Sequence, residues 1–333
     1  MRKKKSNERR ILKIILPIIG ALIAIIAFSI YNFIFKEDYE IPDGSAEFHY
    51  IDVGQGDATL ILADEMSVLI DTGENDKTNT LIDYLKDKKI ETIDYFIITH
   101  FDSDHFGEAE EILDEFKIVN LIIPDQVKTS NMFNNFVESV NEKSEIYVSV
   151  IEDDNDIGGL LQVDDVIDID DENDRKIYVG KTDEKDENDK GDLELEFLGP
   201  VKDSYKGSND YSIFVMARWG KNKMLFTGDS EREGEKAVIE KYKNEASKLF
   251  DCDVFHAGHH GSDTSSCKDL LDYLTPKYFI ISCGLDNKHG HPHEETVERF
   301  KNIVSENHIY RTDLQGDIVL TTDGEEITIK TEK

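Results

Sequence analysis

Three short apolar runs in this chain each lead into histidine or aspartate, and that repetition narrows the fold more than any other feature. Tyr95-Phe96-Ile97-Ile98 continues as Thr99-His100-Phe101-Asp102-Ser103-Asp104-His105-Phe106-Gly107. Met224-Leu225-Phe226 runs into Thr227-Gly228-Asp229, and Val254-Phe255 into His256-Ala257-Gly258-His259-His260-Gly261-Ser262. A buried strand that ends in a tight loop aims alternating side chains at one point. His100, Asp102, Asp104 and His105, joined by Asp229 and His259-His260, therefore form a candidate cage for one or two divalent cations. A solvated acidic loop with two surface histidines is the plain alternative for residues 100–105 alone. The recurrence at Asp229 and at His259-His260 argues against it, and for a metal-dependent hydrolase.

The N-terminus obeys different rules. Arg2, Lys3, Lys4, Lys5, Arg9 and Arg10 face one acid, Glu8, and the run Ile14 to Phe35 is almost wholly apolar. About 22 residues at roughly 1.5 Å each span about 33 Å, enough to cross the hydrocarbon core. Signal-peptide apolar regions are shorter, about 7–15 residues, and Ala27-Phe28-Ser29 is a poor cleavage site. The expected layout is a basic cytoplasmic tail over 1–10 and a membrane anchor over 11–35. A polar linker over 36–46 then leads to a hydrolase domain over 47–333, outside the cytoplasm. Beyond residue 36 the chain holds 30 Lys and Arg against 70 Asp and Glu, a net charge of −40. Such a surface grips polyanions poorly, so any nucleic-acid binding is expected to be weak. Cys252, Cys267 and Cys283 form no CxxC pattern, which excludes a thiolate zinc cluster and a disulfide framework.

Periodicity predicts strands over 47–52, 58–62 and 68–71, a helix from Thr80, a strand over 93–99, a helix over 109–116, a strand at 121–124 and a helix over 132–140. From 152 to 192 the sequence turns acidic, read as strands joined by a surface loop; its oxygen ligands lack an EF-hand spacing. Structure is expected to resume at 193–198, with a hairpin of 212–219 and 224–227 about Gly220-Lys221-Asn222. Helices follow near 233–249, 267–273 and 294–305, with strands at 278–282, 309–311, 317–321 and 326–330. Strands first, then strands mixed with helices, suggest an α+β chain folded as an αββα sandwich.

The motifs as a set resemble the metallo-β-lactamase-fold hydrolases, most closely the soluble hydrolase domain of ComEC-type DNA-uptake competence proteins. They are Asp52-Val53-Gly54-Gln55-Gly56-Asp57-Ala58, Ile70-Asp71-Thr72-Gly73, His100-x-Asp102-x-Asp104-His105-x-Gly107, Phe226-Thr227-Gly228-Asp229, His259-His260-Gly261-Ser262 and Gly290-His291-Pro292-His293. Arg311-Thr312-Asp313-Leu314-Gln315-Gly316 fits as well, so the resemblance spans about 46–330. It implies that His100 and Asp102 bind one metal, Asp104 and His105 the other, that Asp229 bridges them, and that His259 or His260 completes the second site. Asp71 and Asp57 would stand behind the ligands, and Asp104, His260 and His291 would carry the catalysis. A histidine usual in the first site is missing; Asn209 or Asp210 is its candidate substitute. The ion would be zinc or manganese. Ser262, Ser265 and Ser266 would bind phosphate or cap the following helix.

The resemblance also separates this chain from a channel, because complete competence proteins carry many membrane spans. An anchored extracellular phosphodiesterase or nuclease is the leading expectation. A hydrolase of small phosphodiesters or phosphocholine-type wall decorations is the second, and a degenerate metal-stabilised binding module the third. The sequence points to no protein partner.

Overall fold

The computed structural model describes residues 39–75, 80–151, 157–180 and 193–333. The membrane span expected over 11–35 lies outside these residues; among those described, no helix is long and apolar enough to cross a membrane.

The unit Ile41–Lys333 holds two sheets. The first contains β1 (Ala46–Tyr50), β2 (Thr59–Ala63), β3 (Met66–Ile70), β4 (Thr92–Ile97), β5 (Lys117–Pro124), β6 (Tyr147–Ile151) and β7 (Asp165–Ile167). The second contains β8 (Lys176–Val179), β9 (Leu193–Gly199), β10 (Phe214–Trp219), β11 (Asn222–Phe226), β12 (Val254–His256), β13 (Tyr278–Ile281) and β14 (Ile309–Arg311). The chain then returns to the first sheet as β15 (Ile318–Thr322) and β16 (Ile327–Thr331), giving the order β16-β15-β1-β2-β3-β4-β5-β6-β7. The second sheet runs β14-β13-β12-β11-β10-β9-β8. Strands β3 to β7 are mutually parallel, and so are β11 to β14.

Side-chain alternation explains the sandwich. In β1, Ala46, Phe48 and Tyr50 enter the core between the sheets, and in β9 so do Leu193, Leu195 and Phe197. The intervening Glu194 and Glu196 fall on the opposite face and pair with Arg218 and Arg175. Trp219 fills the same core, fully buried, and its indole donates to the Gly44 carbonyl at 3.3 Å. Burial of such a side chain contributes about 1.5–3 kcal/mol. The outer face of the second sheet buries Leu225, Phe255 and Phe279 under Val238, Leu270 and Phe300 from its helices. Helices covering the first sheet bury Leu81 and Leu85, Ile112 and Leu113, and Phe133 and Phe136.

Three details differ from the periodicity. The long helix expected over 233–249 is two, Arg232–Lys241 and Ala246–Leu249. Residues 100–107 contain a short helix, Ser103–Phe106, with Asp102 at its N-cap position. The hairpin strand starts at Phe214, because Asn209–Tyr211 forms a 3-10 turn. The strands expected in the acidic region are, in its described part, β7 and β8, one in each sheet. All three cysteines are free and buried.

Candidate metal centre

The parallel strands place the motifs together. Asp71 follows β3, His100 follows β4, Asp229 follows β11 and His259 follows β12, so each leaves the carboxyl end of a strand. In open sheets of this kind that edge is where ligands bind. Asp71 has φ +59°, a left-handed conformation that its short polar side chain tolerates. There its carboxylate accepts from Thr99 N at 2.7 Å and Thr99 Oγ1 at 2.6 Å, and meets His105 Nδ1 at 2.7 Å. With Nδ1 so engaged, His105 Nε2 stands 2.9 Å from Asp229 Oδ1.

His260 repeats the pattern. Its Nδ1 lies 3.2 Å from Asp57 Oδ1 and 3.1 Å from the Ser282 carbonyl, while Nε2 faces Asp104 Oδ2 at 3.3 Å and Asp229 Oδ1 at 3.6 Å. Asp57, His105, Asp229 and His260 offer ligand atoms within 4.8 Å of one another. Asp57 meets His260 on the Nδ1 side, however, so it stands behind the ring and Asp104 stands across from it. Two carboxylate–histidine pairs thus back the same small space, an arrangement that fixes tautomer and ring direction. Four buried atoms, His100 Nε2, His105 Nε2, His260 Nε2 and Asp229 Oδ1, meet no well-aimed hydrogen-bond partner among the described residues, though His105 Nε2 and Asp229 Oδ1 stand within ion-pair distance of each other. Leaving buried polar atoms unmet is costly, and a cation is the group that meets nitrogen lone pairs and a carboxylate together. The donor set fits a divalent ion.

Electrostatics agree. Burial alone would push the His105 imidazole down, but Asp229 and Asp71 hold it well above its ordinary value. His260 is raised in the same way against burial, by Asp229 and Asp57. Burial would raise Asp229; His105 and His260 overcome it and hold the carboxyl well below the usual range. The pocket therefore carries excess negative charge that draws protons or cations inward. His100 is pushed down to about 3, chiefly by burial, and stays neutral.

Glycine makes the close packing possible at one key point. Gly56 has φ +148°, and a Cβ there would lie 2.5 Å from the Asp104 carbonyl oxygen. Next to it Asp57 N donates to that same oxygen at 3.1 Å, clamping the loop that carries Asp104 and His105. His259 and His260 both have positive φ, 50° and 54°. Strain of this kind costs about 1–3 kcal/mol per residue and concentrates at functional sites.

The structure sorts the remaining candidates. His260 is buried and turned inward, whereas the partly exposed His259 has Nε2 3.6 Å from Asp229 Oδ2 and Nδ1 3.4 Å from Glu231. Asp102 meets Lys128 Nζ at 2.6 Å. Asn209 lines the adjacent cleft of about 660 Å³, along with Asp102, Asp104, Lys128, Asp229 and His259. Asp210 does not stand in for the missing histidine: its Oδ1 accepts from Glu231 N at 2.9 Å and Gly234 N at 2.8 Å, at the start of helix Arg232–Lys241. His291 reaches the site, its ring centroid 5.3 Å from that of His259 and 6.1 Å from that of His260. Burial pushes it down to about 4. His293 turns away to Asp263. Ser266 Oγ accepts from Gly258 N at 3.2 Å, which ties the histidine turn to the next helix.

Sequence reasoning missed Thr99, Ser282, His256 and Lys128. His256 Nε2 bonds Ser282 Oγ at 2.8 Å and lies 3.8 Å from Asp57, forming a polar layer behind His260. Thr99, Ser282 and His256 end or closely follow a strand, and that position is the signal that finds them; Lys128 lies in the loop beyond β5.

A two-sheet sandwich with this histidine–aspartate centre at its strand ends defines a class, and the sequence pattern of the metallo-beta-lactamase superfamily matches residues 51–284. The chain belongs to that superfamily. ComE operon protein 3 of Bacillus subtilis is 27% identical over 298 residues, covering 84% of this chain and 33% of that protein. Recombination protein 2 of Haemophilus influenzae is 28% identical over 254 residues, covering 75% and 26%. Competence protein ComA of Neisseria gonorrhoeae is 24% identical over 278 residues, covering 83% and 32%. The resemblance to ComEC-type competence proteins read from the motifs is met in these relatives, of whose length the chain spans a third or less.

Proposed function

We propose that this chain is a metal-dependent phosphodiesterase whose ion is held by Asp104, His105, Asp229 and His260. The observation that carries the reading is the pair of backed imidazoles, Asp71–His105 and Asp57–His260, whose buried Nε2 atoms converge on Asp229 without hydrogen-bond partners. A divalent ion held there, zinc or manganese, supplies Lewis-acid polarisation and acidifies its water. Burial would raise the Asp104 carboxyl, but His260 and His105 together hold it well below the usual carboxylate range, and it accepts the proton of the attacking water. His291, held neutral by burial beside His259 and His260, contacts a phosphate oxygen through its ring. His260 keeps its Nε2 aimed inward because Asp57 and Ser282 hold the other nitrogen.

Charge refines the substrate. A domain near −40 repels long polyanions over a screening length of about 8 Å at physiological salt. Small phosphodiesters and short single strands are therefore better substrates than long duplex DNA. The test is metal analysis of the purified protein, followed by turnover of a chromogenic small phosphodiester beside duplex DNA. The expected result is bound metal and faster cleavage of the small diester. Nanomolar, metal-independent duplex binding at physiological salt overturns it. Bound metal with no turnover on any phosphodiester would instead favour a binding module.

The apolar run 14–35, preceded by basic residues, supports an anchored protein with its catalytic domain outside the cell. Protease added to intact cells is expected to digest or release the domain. Protection until lysis reverses the orientation.

A further inference from the structure

The two halves of the centre meet their charge in different ways. On one side, His105 Nε2, His260 Nε2 and Asp229 Oδ1 are buried and unmet, while His100 Nε2 is the single unmet nitrogen of the other side among the described residues. On the other, Asp102 already has a cation: Lys128 Nζ lies 2.6 Å from Oδ1, and Ser208 Oγ lies 3.3 Å from each of its oxygens. Further ligands for a second ion are scarce there. Asp210 is committed to the helix start, and Asn209 Oδ1 is 3.2 Å from the Ser208 hydroxyl. That leaves His100 and a share of Asp229, short of the four ligands that zinc usually takes. A second divalent ion would also stand beside an ammonium, a like charge that repels it.

We propose that the centre takes one divalent ion, and that the Lys128 ammonium replaces the second, neutralising Asp102 and facing a substrate phosphate across the same cleft. Only the identity of the substrate rests on the phosphodiesterase reading. Asp102 and Lys128 both line the cleft with Asp104 and Asp229, so an oxyanion between them meets the ion on one side and the ammonium on the other. Lysine serves well here as a compact point charge on a flexible stem.

The experiment is a Mn²⁺ titration of the purified full chain by calorimetry, with metal content measured after desalting. Wild type is expected to bind about one equivalent, and Lys128→Met about two, the second more weakly, because Asp102 is released to act as a ligand. Lys128→Arg, which keeps the charge, stays at one. Adding Asp102→Asn to Lys128→Met returns the count to one. Two equivalents in wild type, or one in Lys128→Met, overturn the proposal. No metal in wild type sinks both this and the phosphodiesterase reading, whereas one equivalent without phosphodiester hydrolysis sinks that reading alone.

Discussion

Asp229→Ala is expected to strip the protein of nearly all bound metal and to lower turnover by more than about 100-fold, beyond the loss that removing an outer partner brings. Among the described residues, Asp229 is the one carboxylate that faces three imidazoles: His105 Nε2 at 2.9 Å, His260 Nε2 at 3.6 Å and His259 Nε2 at 3.6 Å. Alanine removes the charge that those rings converge on. The fold should survive, since the Asp229 backbone N–H keeps its bond to Ser212 Oγ at 3.0 Å and the side chain adds nothing to the apolar cores. His308→Ala is the control. That ring packs on Tyr278 at 5.1 Å between centroids, outside the motifs, and its loss should change neither metal content nor turnover. Full metal content and full activity in the Asp229 variant would remove it from the centre.

Much of this arrangement was legible because two periodicities do different work. Alternation in Ala46–Tyr50 and Leu193–Phe197 marks which residues face the partner sheet, and a sandwich follows from burying both such faces. Polar side chains set immediately after apolar runs then mark the functional edge. What alternation does not carry is side-chain direction in turns. His259 and His260 are adjacent and chemically alike, and only the left-handed backbone of both residues decides that His260 is buried against Asp104 while His259 leans toward Glu231. Asp210 is engaged elsewhere for a related reason. The free backbone N–H groups at the start of helix Arg232–Lys241 draw its carboxylate, and that demand comes from residues 21 and 24 positions downstream. Lys128 was missed because it sits in a polar loop with no motif around it; parallel strand β5 delivers that loop to the cleft.

Asp71→Asn is expected to lower metal affinity by roughly 10–100-fold while leaving the folded structure in place. Asp71 contacts no cleft group directly; its oxygens divide between Thr99 and His105 Nδ1. A carboxylate accepts on both sides, so Thr99 N and Oγ1 can donate to it while His105 keeps a proton on Nδ1 and its lone pair on Nε2. An amide has one accepting oxygen and one donating nitrogen. If the oxygen stays with Thr99 N, the amide nitrogen confronts His105 Nδ1 and favours the tautomer with the proton on Nε2, the atom that faces Asp229. The ring keeps its place and loses its ligand. Burial pushes the Asp71 carboxyl up, against the pull of His105 and Thr99, so this interaction sits in a dry environment where a wrong tautomer is not corrected by solvent. Calorimetric titration of Mn²⁺ into Asp71→Asn checks the argument, with Asp94→Asn, which bonds Ser67 on a distant part of the sheet, as the structural control. Equal affinity in wild type and Asp71→Asn would show that His105 needs no carboxylate behind it.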